Sequence, residues 1–216
     1  MKSKSTKFEE TVRQYKEVIG LIDKHNELFS STINLIASEN VPSRGIIKAL
    51  SSDLNNRVAE GWIGRRVYPG MRLYDSIEKL GMEVTKELFG YDHVDLRPIS
   101  GTMANMAVYA ALTSPGDNVL SLRVEDGAHI SMSGRMIKDI FKLNFIPMPI
   151  NVKDMTFDIS RTIDLIKDKK PKLIILGGSV MLFPQPIKEI SEVAHLNGSI
   201  IFYDASHVAG LIASGL

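Results

Sequence analysis

Apolar residues recur at helical spacing from the start of the chain. Phe8, Val12, Tyr15, Val18, Ile19 and Ile22 stand between charged positions, which predicts one amphipathic helix over the first thirty residues. No strand signal precedes it, so it reads equally as an arm packed on a neighbouring subunit or on its own domain. Asp75 followed by Glu78 has the spacing of a capping box. Ile77, Leu80, Val84 and Leu88 continue at helical intervals, and Gly90 supplies a stop, which predicts a helix between these signals. A further helix is predicted from about Thr102 through Asn105, Ala107, Val108 and Ala111 to the break at Ser114-Pro115-Gly116-Asp117.

Beyond that break the apolar runs become short and continuous. Val119 to Leu122, Leu173 to Leu176 before Gly177-Gly178, and Ile200 to Tyr203 before Asp204 have the character of strands covered on both faces. A helix around Ile187 to His195, opened by Pro184 and Pro186, separates the last two. Strand, helix, strand in that order predicts a parallel pair and an α/β layered fold.

Composition narrows the class without naming a function. With 216 residues, 44% hydrophobic and 24% charged, the chain can bury a full core as one large domain or one domain plus an arm. Lys and Arg number 26 against 25 Asp and Glu, so no net field draws in nucleic acid or an anionic membrane, and any anion must be bound locally. Cysteine is absent, which excludes disulfides and thiolate metal sites and suits a reducing compartment. Met1 to Glu10 carries basic residues with no apolar stretch behind them, unlike a secretory signal. The longest apolar run, Leu173 to Pro184, is too short to cross a bilayer and is broken by two glycines. A cytoplasmic protein with no nucleic-acid or membrane partner is expected.

Several residues then stand where chemistry is placed in such folds. Ser100-Gly101-Thr102 directly precedes a helix, where free N–H groups and the positive end of the helix dipole make an anion seat. The plainer alternative is that Ser100 or Thr102 only caps the helix. Asp204 ends a buried strand, where ligands gather in open α/β sheets. A protonated pyridine nitrogen is one partner for its carboxylate, and local backbone amides are another. His207 is three residues on, and no further His or carboxylate has the spacing of a metal site, so no metal is expected. His129 follows a strand by a few residues and could stack on a planar cofactor or stand idle in a surface loop. Asn56 to Gly70 is rich in Gly, Arg and aromatic residues without periodicity, as in an ordered functional loop, with Glu60 a candidate acid or base and Tyr68 a candidate polar contact. Ser38 and Glu39 directly follow an apolar run.

Read in order, six segments resemble serine hydroxymethyltransferase: Asn34 to Asn40 (Asn-Leu-Ile-Ala-Ser-Glu-Asn), Ala59 to Gly61, Ser100 to Asn105, Ala107 to Leu112, Pro115 to Asp117, and Asp204 to Leu211. The resemblance covers roughly Ile33 to the end. It implies a fold-type-I pyridoxal-phosphate enzyme, with a helical arm over residues 1–32 and an incomplete large domain over 33–216 whose mixed, mostly parallel sheet is flanked by helices. The implied reaction moves a hydroxymethyl group between serine and a reduced pterin, tetrahydrofolate or tetrahydromethanopterin, giving glycine, in a homodimer with shared active sites. By position, Ser100, Gly101 and Thr102 would bind the phosphate of pyridoxal 5'-phosphate, His129 would stack on its ring and Asp204 would pair with the ring nitrogen. Ser179 and His207 would complete the cofactor pocket, and Ser38 would contact the amino-acid substrate. Glu60, as the proton-transfer group, and Tyr68, near the substrate, would come from the partner subunit.

The chain departs from the family pattern in ways that bear on the pterin. Val58 and Val67 stand where tyrosines are common, Trp62-Ile63 replaces an aromatic-proline pair, and Met103 replaces a glutamine. His129 follows Gly-Ala rather than Gly-Gly, and Ser131 to Gly134 differs from the usual Thr-His-Gly. The lysine that would bond the cofactor's aldehyde lies past the position of Asp204 in the family, and the arginine that would grip the substrate carboxylate lies later still. Lys172 and Lys188, on predicted surface or helix positions, are not substitutes. A fragment inactive by itself is therefore expected. Rival readings are another fold-type-I activity, aldolase-like or aminotransferase, and a non-catalytic, self-associating module. A nicotinamide oxidoreductase is discounted because no G-x-G-x-x-G occurs.

Overall fold

A computed structural model describes residues 4–216 and divides the chain into two compact units, one ending at Asn56 and one spanning Arg57–Leu216. The first three residues of the expected arm, Met1 to Ser3, lie outside the described residues.

In the first unit, α1 (Lys4–Ser30) is the long amphipathic helix expected from its periodicity. Its apolar stripe is open, with Phe8 70% and Tyr15 65% exposed. The short α2 (Arg44–Leu50) starts at Ser43, whose hydroxyl oxygen accepts the Ile46 N–H. Between them the chain turns tightly: Asn34 Oδ1 accepts the Ile36 amide at 2.9 Å, and Asn34 Nδ2 donates to the Glu39 carboxylate.

The second unit opens with a two-residue hairpin, β1 (Gly61–Trp62) against β2 (Arg65–Arg66), followed by α3 (Arg72–Phe89). The capping box expected at Asp75 and Glu78 is corrected here. The helix begins four residues earlier, after Met71, which makes no side-chain cap. Asp75 and Glu78 turn to the hairpin instead. Arg66 Nε donates to Asp75 Oδ1 at 2.7 Å, its Nη2 pairs with Glu78, and the Gly64 amide donates to Asp75 at 2.9 Å. A guanidinium offers these carboxylates a stronger partner than a helix-end amide does. The stop at Gly90 is as expected, with φ 69° and its N–H returned to the Lys86 carbonyl.

After α4 (Gly101–Leu112) comes the sheet region: β3 (Asn118–Ser121), α5 (Ile130–Ser133), α6 (Arg135–Phe141), β4 (Asn144–Pro147), the hairpin β5 (Ile150–Asn151) with β6 (Thr156–Phe157), α7 (Ile159–Lys169), β7 (Leu173–Gly177), α8 (Ile187–Leu196), β8 (Ile200–Asp204) and α9 (Ala209–Ala213). β4, β3, β7 and β8 hydrogen-bond in that order, all parallel. Every residue of β7 is buried, as a strand covered on both faces must be. Tyr109 of α4, Met132 of α5, Ile137 of α6, Ile166 of α7 and Ile190 of α8 close the core over it.

The strand order decides where a ligand can sit. From β3 the chain steps outward to β4, then crosses back to lay β7 on the other side of β3. That reversal leaves a crevice beyond the carboxyl ends of β3 and β7, the position at which open α/β sheets take their ligands.

Candidate functional site

The loop after β3 carries His129 and the loop after β7 carries Ser179, so the two flank the crevice. They are tied together, since the Ser179 amide donates to the Gly127 carbonyl at 2.7 Å. Asp204 ends the next strand, in register with Gly177. The two strands approach so closely there that a Cβ on Gly177 would lie 2.2 Å from the Asp204 carbonyl oxygen.

The first turn of α4 faces this edge. Ser100 is its N-cap, and its hydroxyl oxygen accepts the Met103 N–H at 3.1 Å, so the plainer reading of Ser100 as a helix cap is realised. Capping uses an acceptor position and leaves the hydroxyl hydrogen available to an anion. The first intrahelical bond runs from Ala104 N–H to the Ser100 carbonyl, so the N–H groups of Gly101 and Thr102 precede the helical ladder. A Cβ on Gly101 would lie 3.6 Å from Ser206 Oγ, which puts the helix start beside the turn that follows Asp204.

One turn further along α4, Asn105 is 3% exposed and ties the pieces together. Its Nδ2 donates to Asp204 Oδ2 and to Ser131 Oγ, both at 2.9 Å. Ser131 Oγ lies 2.7 Å from His129 Nδ1. The other Asp204 oxygen accepts from the Ser206 amide at 3.1 Å and from its hydroxyl. Burial alone would raise the Asp204 pKa, but the Ser206 hydroxyl, Asn105 and the Ser206 amide outweigh it, and the carboxyl is held below its ordinary value of 3.8. The site therefore offers a fixed, half-buried carboxylate, an exposed imidazole, and a helix amino terminus with hydroxyls on it. That donor set suits a planar cationic ring bearing a phosphate, as pyridoxal phosphate does.

His207, Glu60 and Tyr68 are not among the partners in these hydrogen bonds. His207 is exposed in the turn before α9. Glu60 and Tyr68 flank the small hairpin, brought near one another because the Val67 amide donates to the Glu60 carbonyl at 3.0 Å. Arg66 holds the hairpin's carbonyls, donating to Ala59 and Gly61 at 2.8 and 2.7 Å. Ser38 belongs to the first unit, where it is exposed. Lys172 and Lys188 are exposed. Among the described residues no group of three or more His, Cys, Asp or Glu side chains could hold a metal ion, and no helix is long and apolar enough to cross a membrane.

The family model for serine hydroxymethyltransferase matches residues 12–216. The chain belongs to the serine hydroxymethyltransferase family. Proteins named serine hydroxymethyltransferase from Korarchaeum cryptofilum and Methanosphaera stadtmanae are 43% and 42% identical to it, each over 94% of this chain and over 49% and 48% of their own length. One from Archaeoglobus fulgidus is 42% identical over 91% of this chain and 45% of its own. The chain thus spans about half the length of the curated relatives it matches. Its α/β architecture, with four parallel strands flanked by helices, is that of the fold-type-I serine hydroxymethyltransferase family. Reading the sequence missed Asn105 and Ser131 as site residues. The available signal was a polar side chain amid Ala, Met and Val, one turn into the helix that starts at the anion seat.

Proposed function

We propose that this chain supplies the cofactor-binding half of a pyridoxal-phosphate-dependent enzyme that transfers a hydroxymethyl group between serine and a reduced pterin. The supporting observation is the Asn105-linked cluster, which sets the α4 amino terminus, Asp204 and His129 at one sheet edge in a chain of this family. In this reading Ser100, Gly101 and Thr102 hold the phosphate, through two amides and two hydroxyls at the positive end of α4. Asp204 holds a proton on the ring nitrogen, since a carboxylate fixed in its ionised form favours a cationic partner. His129 covers one face of the ring, and Ser179 and His207 border its substituents.

When bound, the cofactor supplies an electron sink for bonds broken at the amino acid's α-carbon. Ser38 orients the substrate amino acid. Glu60 moves a proton at the hydroxymethyl oxygen, and Tyr68 orients the substrate beside it. In the proposal Glu60 and Tyr68 act in the partner subunit's site, which makes the working form a homodimer. The arm at residues 1–32, the domain at 33–216 and a cytoplasmic location belong to the same proposal. Tetrahydrofolate or tetrahydromethanopterin is the one-carbon carrier.

A chimera tests this reading: the chain replaces the matching half of the Korarchaeum cryptofilum relative. With pyridoxal phosphate and each pterin, the chimera is expected to show the visible absorbance of bound cofactor and to convert serine to glycine. A folded chimera that binds no cofactor, or that binds it without serine turnover, would refute the assignment.

A further inference from the structure

Asn105 carries one amide nitrogen with two hydrogens, and both are committed, to Asp204 Oδ2 and to Ser131 Oγ. The orientation is dictated by charge. Turned the other way, the amide oxygen would face a carboxylate held in its ionised form, two acceptors with no hydrogen between them. Ser131 is 1% exposed and receives one of these hydrogens at Oγ, so its own hydroxyl hydrogen is left for His129 Nδ1 at 2.7 Å. The Ser131 backbone N–H reaches the same nitrogen at 3.2 Å. Two donors converging on Nδ1 leave it no proton of its own.

We infer that Asn105 and Ser131 are positioning residues that couple the Asp204 carboxylate to His129 and fix the imidazole as an Nδ1 acceptor with its proton on Nε2. The inference deepens the proposed pyridoxal-phosphate reading and rests on it for its purpose. A neutral ring pinned at one nitrogen can lie flat over a cationic pyridine without repelling it, and without competing for the carboxylate that the pyridine needs. The linkage spans 99 residues between Asn105 and Asp204 and 26 between Asn105 and Ser131, so α4 aligns both the ring-stacking and the ring-pairing groups with the phosphate seat at its own start.

The test uses the 216-residue chain with ¹⁵N-labelled histidine and no cofactor. Long-range proton–nitrogen spectra are expected to show the two His129 nitrogens well separated, Nδ1 as acceptor and Nε2 protonated. Ser131→Ala is expected to move the two signals toward each other as tautomers mix, and Ser131→Thr, which keeps the hydroxyl, to restore them. Asn105→Ala is expected to act like Ser131→Ala, and if that variant fails to fold the Ser131 pair decides. A protonated Nδ1 in the wild type, or signals unmoved in Ser131→Ala, would overturn the inference. Pyridoxal phosphate is then titrated, with Ser131→Ala expected to bind about fivefold more weakly, the worth of one hydrogen bond. Wild-type spectra as expected with no cofactor binding would sink the proposed function and leave the coupling standing.

Discussion

Gly177→Ala probes the junction on which the site depends. Gly177 has φ 104°, and a Cβ there would lie 2.2 Å from the Asp204 carbonyl oxygen and 3.0 Å from its nitrogen. Because the obstacle is backbone in the neighbouring strand, no side-chain rotation relieves it. The ends of β7 and β8 must separate by at least about 0.8 Å to reach the 3.0 Å that real Cβ atoms respect. The positive φ alone costs an alanine about 1–2 kcal/mol. Separation weakens the last ladder bonds between the strands, adding about 1–3 kcal/mol for polar groups left poorly paired in a buried place. The expected loss is about 3 kcal/mol, or roughly 10 °C in the melting midpoint of a chain this long. Gly90→Ala is the control, since Gly90 has φ 69° with nothing within 4 Å of its added Cβ. It should lose only about 1 kcal/mol. Urea and thermal unfolding of the two variants measure the difference. Equal losses would refute the close-approach argument, because the variants would then differ only in φ strain.

Two further outcomes follow from the charges. The folded-state pKa of Asp204 lies below its ordinary value, so its contribution to stability is present above about pH 4 and is lost as pH falls through the folded value. The gap in urea midpoint between wild type and Asp204→Asn should therefore be widest near neutrality and narrow in acid, and a gap independent of pH would contradict the hydrogen-bonding account. Arg66→Ala removes the partner of Asp75 and Glu78 and two donors to the hairpin carbonyls, so amide exchange over residues 59–68 should accelerate. Arg66→Lys should restore protection only partly, because an ammonium cannot fork between the two carboxylates as a guanidinium does, and full protection in either variant would show the clamp to be idle.

How much of this was legible in the sequence varied with the physics of each element. Leu173 to Leu176 read correctly as a covered strand because burial on both faces leaves no polar position to confuse it. β4 escaped notice: Asn144 and Pro147 are exposed at the sheet's edge and only Phe145 and Ile146 turn inward, too short a run to signal a strand. α7 was missed although Asp158 caps it, accepting the Arg161 N–H, because the helical spacing of Thr162, Leu165 and Ile166 includes a polar residue. Asp75 and Glu78 misled, since the spacing that marks a helix start also suits two carboxylates recruited by an arginine from a hairpin nine and twelve residues away. At the site, the strand-end carboxylate and the glycine that starts the helix could be placed by general rules. The Asn105 linkage could not, because it joins residues 26 and 99 positions apart and exists only once α4 lies across the sheet edge.

The measurement that bears most directly on the account is equilibrium titration of the 216-residue chain with pyridoxal 5'-phosphate, beside Asp204→Ala and Gly101→Val. Weak, non-covalent binding by the wild type is expected, diminished in both variants: one loses the ring's ionic partner, and the other places a branched side chain at the start of α4 against Ser206. Binding of equal strength by all three proteins, each shown to be folded, would contradict the assignment of this sheet edge as the cofactor site.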